Sequence, residues 1–195
     1  MPNVLAPDVY LRGDTGALRQ TDGTTDAPVN GWLGGVVSAT VAASTAHTST
    51  TTEALLASYE IPAATLVAGS TIEVDWAGIA TGTTNTDTLT VKLYIGGLSG
   101  TVVATGTATD IANNACFFGR TLIQVRTAGN SGTFVAMSSH SKVPAASLTA
   151  SPVFELIAST AINTNAAQVI GVGLDWSTTD ATNSARVDIF RVKIY

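Results

Sequence analysis

An alternation of apolar and polar residues with a period of two recurs along most of this chain and constrains its fold more than any other feature. In "STIEVDWAGIA" the side chains of Ile72, Val74 and Trp76 fall on one face of an extended segment, and Glu73 and Asp75 fall on the other. Side chains alternate between faces in a β-strand, whereas a helix repeats about every 3.6 residues. The pattern predicts β-strands that each bury one face.

About eight to ten such segments follow one another at spacings of roughly 10 to 20 residues, without a helical period between them. Charged residues are only 12% of the chain, and their place is taken by small and β-branched residues that favour strands and tight turns. We expect an all-β fold, an antiparallel β-sandwich of jelly-roll type, with an up-and-down barrel as the alternative.

One strand illustrates the expected packing and the turn that ends it. In "DTLTVKLYIGG" the apolar positions Leu89, Val91, Leu93 and Ile95 point inward, while Thr90, Lys92 and Tyr94 point outward. Gly96-Gly97 then supplies the permissive backbone of a turn. Tyr94 is the one aromatic side chain that the alternation places on an outer face.

The beginning of the chain lacks this alternation. The stretch "LRGDTGALRQTDGTTDAPVNGWLGG" mixes Gly, Asp, Thr and Pro with few apolar residues, which indicates turns. We therefore divide the chain into an irregular N-terminal arm, residues 1–45, and a jelly-roll domain, residues 46–195. Two apolar islands interrupt the arm and are its candidate anchoring residues, either for a partner or for the edge of the domain itself: Val9, Tyr10, Leu11, Trp32 and Leu33.

Charge and hydropathy exclude several classes of partner. The net charge is −5 and the nine Lys and Arg residues are scattered, so the chain lacks the basic stripe that a nucleic acid requires. No window reaches the roughly 18 apolar residues of a membrane span, and the N-terminus does not read as a secretory signal. The single cysteine excludes an internal disulfide. We expect synthesis and folding in a cytoplasm.

Residues with metal-binding or nucleophilic chemistry are few. His47 and His140 each lie in a Ser/Thr stretch without a Cys, Asp or Glu at metal-ligand spacing, so we predict no metal site. Cys116 stands beside two phenylalanines, which predicts a small buried hydrophobic residue rather than a thiolate. The tripeptide Arg12-Gly13-Asp14 resembles an integrin-binding motif, but its turn-rich context favours a plain turn.

A pair of carboxylates is the remaining enzyme-like feature. Glu73 and Asp75 share a strand face, and Asp175 and Asp188 could approach them, which would suit glycoside hydrolysis. We interpret Glu73 and Asp75 instead as an exposed acidic face that keeps the protein in solution. We predict no catalytic residue and no cofactor, and the protein is expected not to be an enzyme.

Two strand ends carry a further structural prediction each. "IEVDWAG" and "VGLDWST" both place a tryptophan after alternating apolar residues, so Trp76 and Trp176 are expected to pack in the core. In the last strand, Val187 and Ile189 have the opposite parity to Phe190 and the apolar residues that follow it. Either a β-bulge between Ile189 and Phe190 restores one apolar face, or the strand is apolar on both faces and contacts a neighbouring subunit.

Two segments resemble tailed-bacteriophage virion proteins of jelly-roll type. They are "EALLASYEIPAATLVAGSTIEVDWAGIATGTTNTDTLTVKLYIGG", 53–97, and "IGVGLDWSTTDATNSARVDIFRVKIY", 170–195. In that group a similar opening precedes a Thr-rich jelly roll, and the shape is similar to that of tumour-necrosis-factor-like jelly rolls. The resemblance covers about 140 residues and does not extend into the arm.

The resemblance implies a capsid decoration (cement) protein, a homotrimer that binds the shell of the major capsid protein and stabilises a phage head. The location would be the capsid surface of the virion, with the arm as anchor. Three alternatives remain open: a receptor-binding or fibre domain of a phage head or tail, a carbohydrate-binding module, and, least expected, a hydrolase that uses the acidic face.

Overall fold

A computed structural model of the chain describes residues 8–11, 18–21, 26–28, 35–82, 87–109, 111, 113–141 and 152–195. All the regular secondary structure in these ranges is β-strand, which confirms the all-β prediction. No helix that could span a membrane is found in these ranges. In chain order the strands are β1 (Asp8–Leu11), β2 (Leu18–Thr21), β3 (Asp26–Pro28), β4 (Gly35–Ala39), β5 (His47–Thr48), β6 (Ala54–Ile61), β7 (Thr71–Thr81), β8 (Thr88–Ile95), β9 (Thr101–Thr109), β10 (Ala115–Thr127), β11 (Gly132–Ser141), β12 (Pro152–Ile162), β13 (Gln168–Trp176) and β14 (Ser184–Ile194).

Two antiparallel sheets form the sandwich. The long sheet has the order β12-β11-β10-β7-β14-β4, with β5 also paired to β14, and the short sheet has the order β6-β13-β8-β9. Without β5 and the β11–β12 hairpin, the sandwich strands pair from the outside of the chain inward. The pairs are β4 with β14, β6 with β13, β7 with β10, and β8 with β9. That nested pairing is the jelly roll, and it excludes the up-and-down barrel, in which consecutive strands are neighbours throughout.

Alternation along each strand builds the core between the sheets. Ile72, Val74 and Trp76 of β7 are at most 2% exposed, and Leu89 and Val91 of β8 are fully buried, which confirms the predicted inward faces. Residues of both sheets belong to one contiguous apolar cluster. Burial of such side chains contributes most of the stabilisation of a domain of this size.

The two tryptophans pack in the core, as predicted, and each belongs to a different sheet. Trp76 belongs to the long sheet and its ring lies 6.3 Å, centroid to centroid, from the ring of Phe117. Trp176 belongs to the short sheet, is 1% exposed, and donates its Nε1–H to the carbonyl oxygen of His47 at 3.2 Å.

The arm and the sandwich meet inside the segment predicted as arm. Gly35–Ala39 form β4, which pairs with β14 at the edge of the long sheet. Within the remainder of the arm, β1, β2 and β3 form a separate three-stranded antiparallel sheet, where turns were expected. Val9, Tyr10 and Leu11 lie in β1, whereas Trp32, Leu33 and the tripeptide 12–14 lie outside the described residues.

The last strand contains a β-bulge, as predicted, but it lies between Val187 and Ile189 and not between Ile189 and Phe190. Val187 pairs with Gly78 and Ile189 with the adjacent Ala77, so one extra residue of β14 is accommodated between them. The bulge buries Val187 and Phe190 on the same face and leaves Ile189 55% exposed. The strand is therefore apolar toward the core, and the extra residue resolves the change of parity.

Candidate functional site

The outer surface of the long sheet carries a group of large apolar side chains that the fold leaves in solvent. We call this group the apolar face, and its members lie on β10, β11 and β12: Phe118 (45% exposed), Leu122 (41%), Met137 (55%), Phe154 (73%) and Leu156 (77%). Single exposed apolar residues are common on soluble proteins, but contiguous groups mark interaction surfaces. This group is the strongest candidate site among the described residues.

Strand register makes the apolar face contiguous. Leu122 pairs with Met137, and Met137 pairs in turn with Leu156. Phe154 stands opposite Ser139 on the neighbouring strand. Cross-strand partners have Cβ atoms about 5 Å apart, so these side chains are neighbours on the surface. A depression of about 290 Å³ lies among them, lined by Arg120, Leu122, Met137, Ser139 and Phe154.

The strand at the border of the apolar face has an open edge. β12 pairs with β11 on one side, and among the described residues no strand pairs with its other side. By contrast, the edge of β9 in the short sheet is capped by side chains. His140 Nε2 lies 2.9 Å from the carbonyl oxygen of Thr105, and Glu155 Oε2 accepts the Thr105 N–H at 3.0 Å. Open edges are the places where sheets accept partners.

A stripe of ion pairs adjoins the apolar face on the same surface. Glu73 on β7 accepts hydrogen bonds from Lys193 Nζ and from Arg120 Nη2, both at 2.8 Å. Asp75 accepts from Arg191 Nε at 3.0 Å. The hydrogen bond from Lys193 lowers the pKa of Glu73, with a further contribution from Arg120, while burial opposes the shift. We call these five residues the ion-pair stripe.

The ion-pair stripe corrects the prediction of an exposed acidic face. Glu73 is 7% exposed, because cations from β10 and β14 cover it and neutralise its charge. The other two carboxylates do not complete a catalytic pair. Asp175 lies on β13 in the opposite sheet, and Asp188 pairs with Arg186 at 3.0 Å.

Tyr94 is the second correction, because it is 4% exposed instead of standing free on the outer face. Its ring lies over Gly173 of the neighbouring strand, where an added Cβ would be 2.9 Å from the ring. Its hydroxyl donates to Glu53 Oε1 at 2.7 Å, and Lys92 Nζ donates to Glu53 Oε2 at 3.0 Å. Burial, together with the hydrogen bond to Glu53, raises the pKa of Tyr94.

The remaining candidates for chemistry are dispersed. His140 is fully buried and His47 is 6% exposed, and burial lowers the pKa of His47. In the ranges that the structure describes, no three His, Cys, Asp or Glu residues gather as a metal site. The prediction that Cys116 is buried is wrong, because β10 turns Phe117 inward and exposes both Cys116 and Phe118.

The apolar face was missed from the sequence, although a signal for it exists. β10 contains the adjacent apolar pairs Phe117-Phe118 and Leu122-Ile123, and β12 contains the run "VFELI". A strand with apolar residues at both parities is apolar on both faces. A half-buried strand has only one such face, so a second apolar face is the sequence signal for an exposed apolar surface.

Comparison with known proteins does not place the chain in a family. No protein-family model and no curated protein matches it. The solved structures that resemble it include a Lotus tetragonolobus seed lectin, with 8% identity and a TM-score of 0.38, covering 97% of this chain and 91% of the lectin. The metal-free form of Griffonia simplicifolia lectin I-B4 has 10% identity and a TM-score of 0.32 over the same shares of the two chains. A structure of infectious bursal disease virus, Gx strain, has 13% identity and a TM-score of 0.24, covering 97% of this chain and 49% of that one. At identities and scores this low we transfer no residue, ligand or partner.

Proposed function

We propose that this protein is a non-enzymatic structural protein of a virion, a homotrimeric capsid decoration (cement) protein that binds and stabilises a phage head. The observation that carries the proposal is the apolar face on the outside of a jelly-roll sandwich. Its five large apolar side chains, at 41–77% exposure, form a group of the kind that marks an interaction site, which supports a role in assembly. The resemblance of residues 53–97 and 170–195 to tailed-phage virion proteins supplies the biological context.

The use of charge in the described residues also supports a structural role. Glu73 and Asp75 form ion pairs with cations on the neighbouring strands β10 and β14, and each side neutralises the charge of the other. The cations are Arg120, Arg191 and Lys193. A general acid or base is an ionisable group that faces the substrate and has a pKa near the working pH. Here the geometry stabilises the sheet.

A cement protein needs a rigid body and an attachment. The antiparallel sandwich is the rigid body, and we assign the attachment to the arm with its apolar residues Val9, Tyr10, Leu11, Trp32 and Leu33. The partner would be the assembled shell of the major capsid protein, and the final location the capsid surface after assembly in the host cytoplasm. The protein would add binding energy across shell subunits and so raise the temperature at which the head opens.

Binding to shells tests this proposal directly. Purified protein is mixed with assembled phage heads that lack it and, separately, with free coat subunits, and bound protein is measured after sedimentation. We expect saturable binding to heads, no binding to free subunits, and a higher temperature of head opening. Absence of binding to heads would refute the proposal. Binding to glycans or cells with no binding to heads would favour the receptor-binding or carbohydrate-binding alternatives.

A further inference from the structure

We propose that a second copy of this chain covers the apolar face, so that the outer surface of β10, β11 and β12 is the interface between subunits and the shell contact lies elsewhere. The inference rests on the homotrimer of the proposed function and deepens it by naming the surface. It follows from the hydrophobicity, the charge and the strand edge of that surface.

The first argument is hydrophobicity. Interfaces between permanently associated copies are more apolar than other protein surfaces and resemble a divided core. The apolar face has this character, with Phe154 and Leu156 more than 70% exposed and side by side with Met137. From strand spacing and rise it measures roughly 14 Å along the strands and roughly 10 Å across them. An apolar cluster surrounded by polar residues is the arrangement found at the centre of stable interfaces.

The second argument is charge. The chain carries a net charge of −5, so two copies repel at long range and associate best where the surface is neutral. The apolar face meets this condition. Among the described residues, the one charged side chain that lines its depression is that of Arg120, whose guanidinium is paired with Glu73 at 2.8 Å and with Asp75 at 3.7 Å. The one charge at the depression is thus already paired with carboxylates of its own chain, which suits contact with a copy of this chain.

The third argument is the edge of β12. The capping of Thr105 by His140 and Glu155 shows that this sandwich protects the edge of its short sheet. Glu155 is the one charged residue of β12, and it is used for that capping, so β12 itself offers no charge to guard its open edge. A copy packed on the apolar face also reaches the open edge of β12, so the apolar face and this edge form one continuous interface.

The experiment compares two variants that add the same charge at exposed apolar positions. Leu156→Glu places a carboxylate in the apolar face, and Val67→Glu places one at a 59% exposed position between β6 and β7. Mass is measured by sedimentation at micromolar concentration, and folding by circular dichroism. We expect wild type and Val67→Glu to have the mass of several chains, and Leu156→Glu to be a folded monomer with at least a tenfold weaker association.

Each other outcome overturns the inference in a distinguishable way. If Leu156→Glu keeps the wild-type mass, the interface lies on another surface, and the proposed function is unaffected. If Leu156→Glu keeps its mass but no longer sediments with phage heads, the apolar face is the shell contact. If the wild type is a monomer, both the interface and the homotrimer are refuted, and head binding then decides the rest of the proposed function. Should Leu156→Glu fail to fold, Phe154→Ser provides the same comparison without a charge.

Discussion

The indole of Trp76 fills the space that a side chain at Gly119 would occupy. The two residues are partners on β7 and β10, and a Cβ built on Gly119 would lie 2.2 Å from Cζ2 of the indole. The relationship is reciprocal one step along, where Phe117 pairs with Gly78 and covers it in the same way. Each strand thus contributes one aromatic residue and one glycine, and the two rings meet in the core.

This geometry predicts that Gly119→Ala destabilises the protein. The methyl group would overlap a rigid, buried ring that has no free space to move into, and overpacking of this kind costs about 1–3 kcal/mol. Gly82→Ala is the matched control, because a Cβ built on Gly82 would lie 3.4 Å from its nearest neighbours, an ordinary contact distance. Urea unfolding should show a lower midpoint for Gly119→Ala and a near wild-type midpoint for Gly82→Ala. Equal midpoints for the two variants would contradict the account.

The sequence predicts the sandwich well wherever one face of a strand is buried. Ile72, Val74 and Trp76 were placed correctly because apolar and polar positions contrast along β7. The same contrast indicated a bulge in β14, since a change of parity has to be absorbed by the backbone, and the structure places it earlier, between Val187 and Ile189. Contrast disappears in β10 and β12, where apolar residues occupy both parities. There the sequence alone does not distinguish the core face from the apolar face.

Long-range pairing explains the other differences. Glu73 is covered by Lys193, 120 positions away in the chain, and Tyr94 is covered through its hydrogen bond to Glu53, 41 positions away. Alternation indicates on which face of a strand such residues lie. It does not indicate which neighbours cover that face, because this depends on the order of strands in the sheet.

Glu73 gives the protein a stability component that acid removes. Its folded-state pKa lies below the ordinary value of 4.5, first because of the hydrogen bond from Lys193. The contribution is therefore fully present above about pH 5 and is lost as pH falls through the folded-state pKa. Glu73→Gln should lower the free energy of unfolding at neutral pH by about 1–3 kcal/mol, because Lys193 and Arg120 lose a charged partner.

The pH dependence of that difference is the decisive measurement. Free energies of unfolding for wild type and Glu73→Gln should differ by a constant amount from neutral pH down to about pH 5, and should converge below that. The conservative substitution keeps the size of the side chain and removes only its charge. A difference that stays constant far into the acid range would show that packing, and not the ion pair, is responsible.

His47 predicts a separate loss of stability at milder acidity. Burial lowers its pKa from 6.5, an effect that Asp175 partly opposes. The unfolded chain then binds a proton at a higher pH than the folded protein does. Stability is therefore unaffected above the unfolded-state pKa of about 6.5, and it falls as pH decreases below that value until the folded-state pKa is reached.

Substitution of His47 by a residue that does not titrate should remove this phase. Melting temperatures of wild type and His47→Gln, measured from pH 7 to pH 5, should fall in the wild type and remain nearly level in the variant. Glu73→Gln serves as the control, because its effect belongs to a more acid range and should leave the slope between pH 7 and pH 5 intact. If the melting temperature of His47→Gln falls as steeply as that of wild type, His47 is not the titrating group.

Tyr94 makes the corresponding prediction at alkaline pH. Burial and the hydrogen bond to Glu53 raise its pKa above the ordinary value of 10.0. Of the four tyrosines, Tyr94 should therefore contribute a late component to a spectrophotometric titration, and this component should be absent from Tyr94→Phe. The stability that depends on the neutral phenol is present below about pH 10 and is lost as pH rises through the folded-state pKa.

Tyr94→Phe should also cost about 1 kcal/mol at neutral pH through the lost hydrogen bond to Glu53. Tyr195→Phe is the control, because Tyr195 is 42% exposed, and this variant should keep both the late component and the stability. A late component that persists in Tyr94→Phe would assign the raised pKa to another tyrosine.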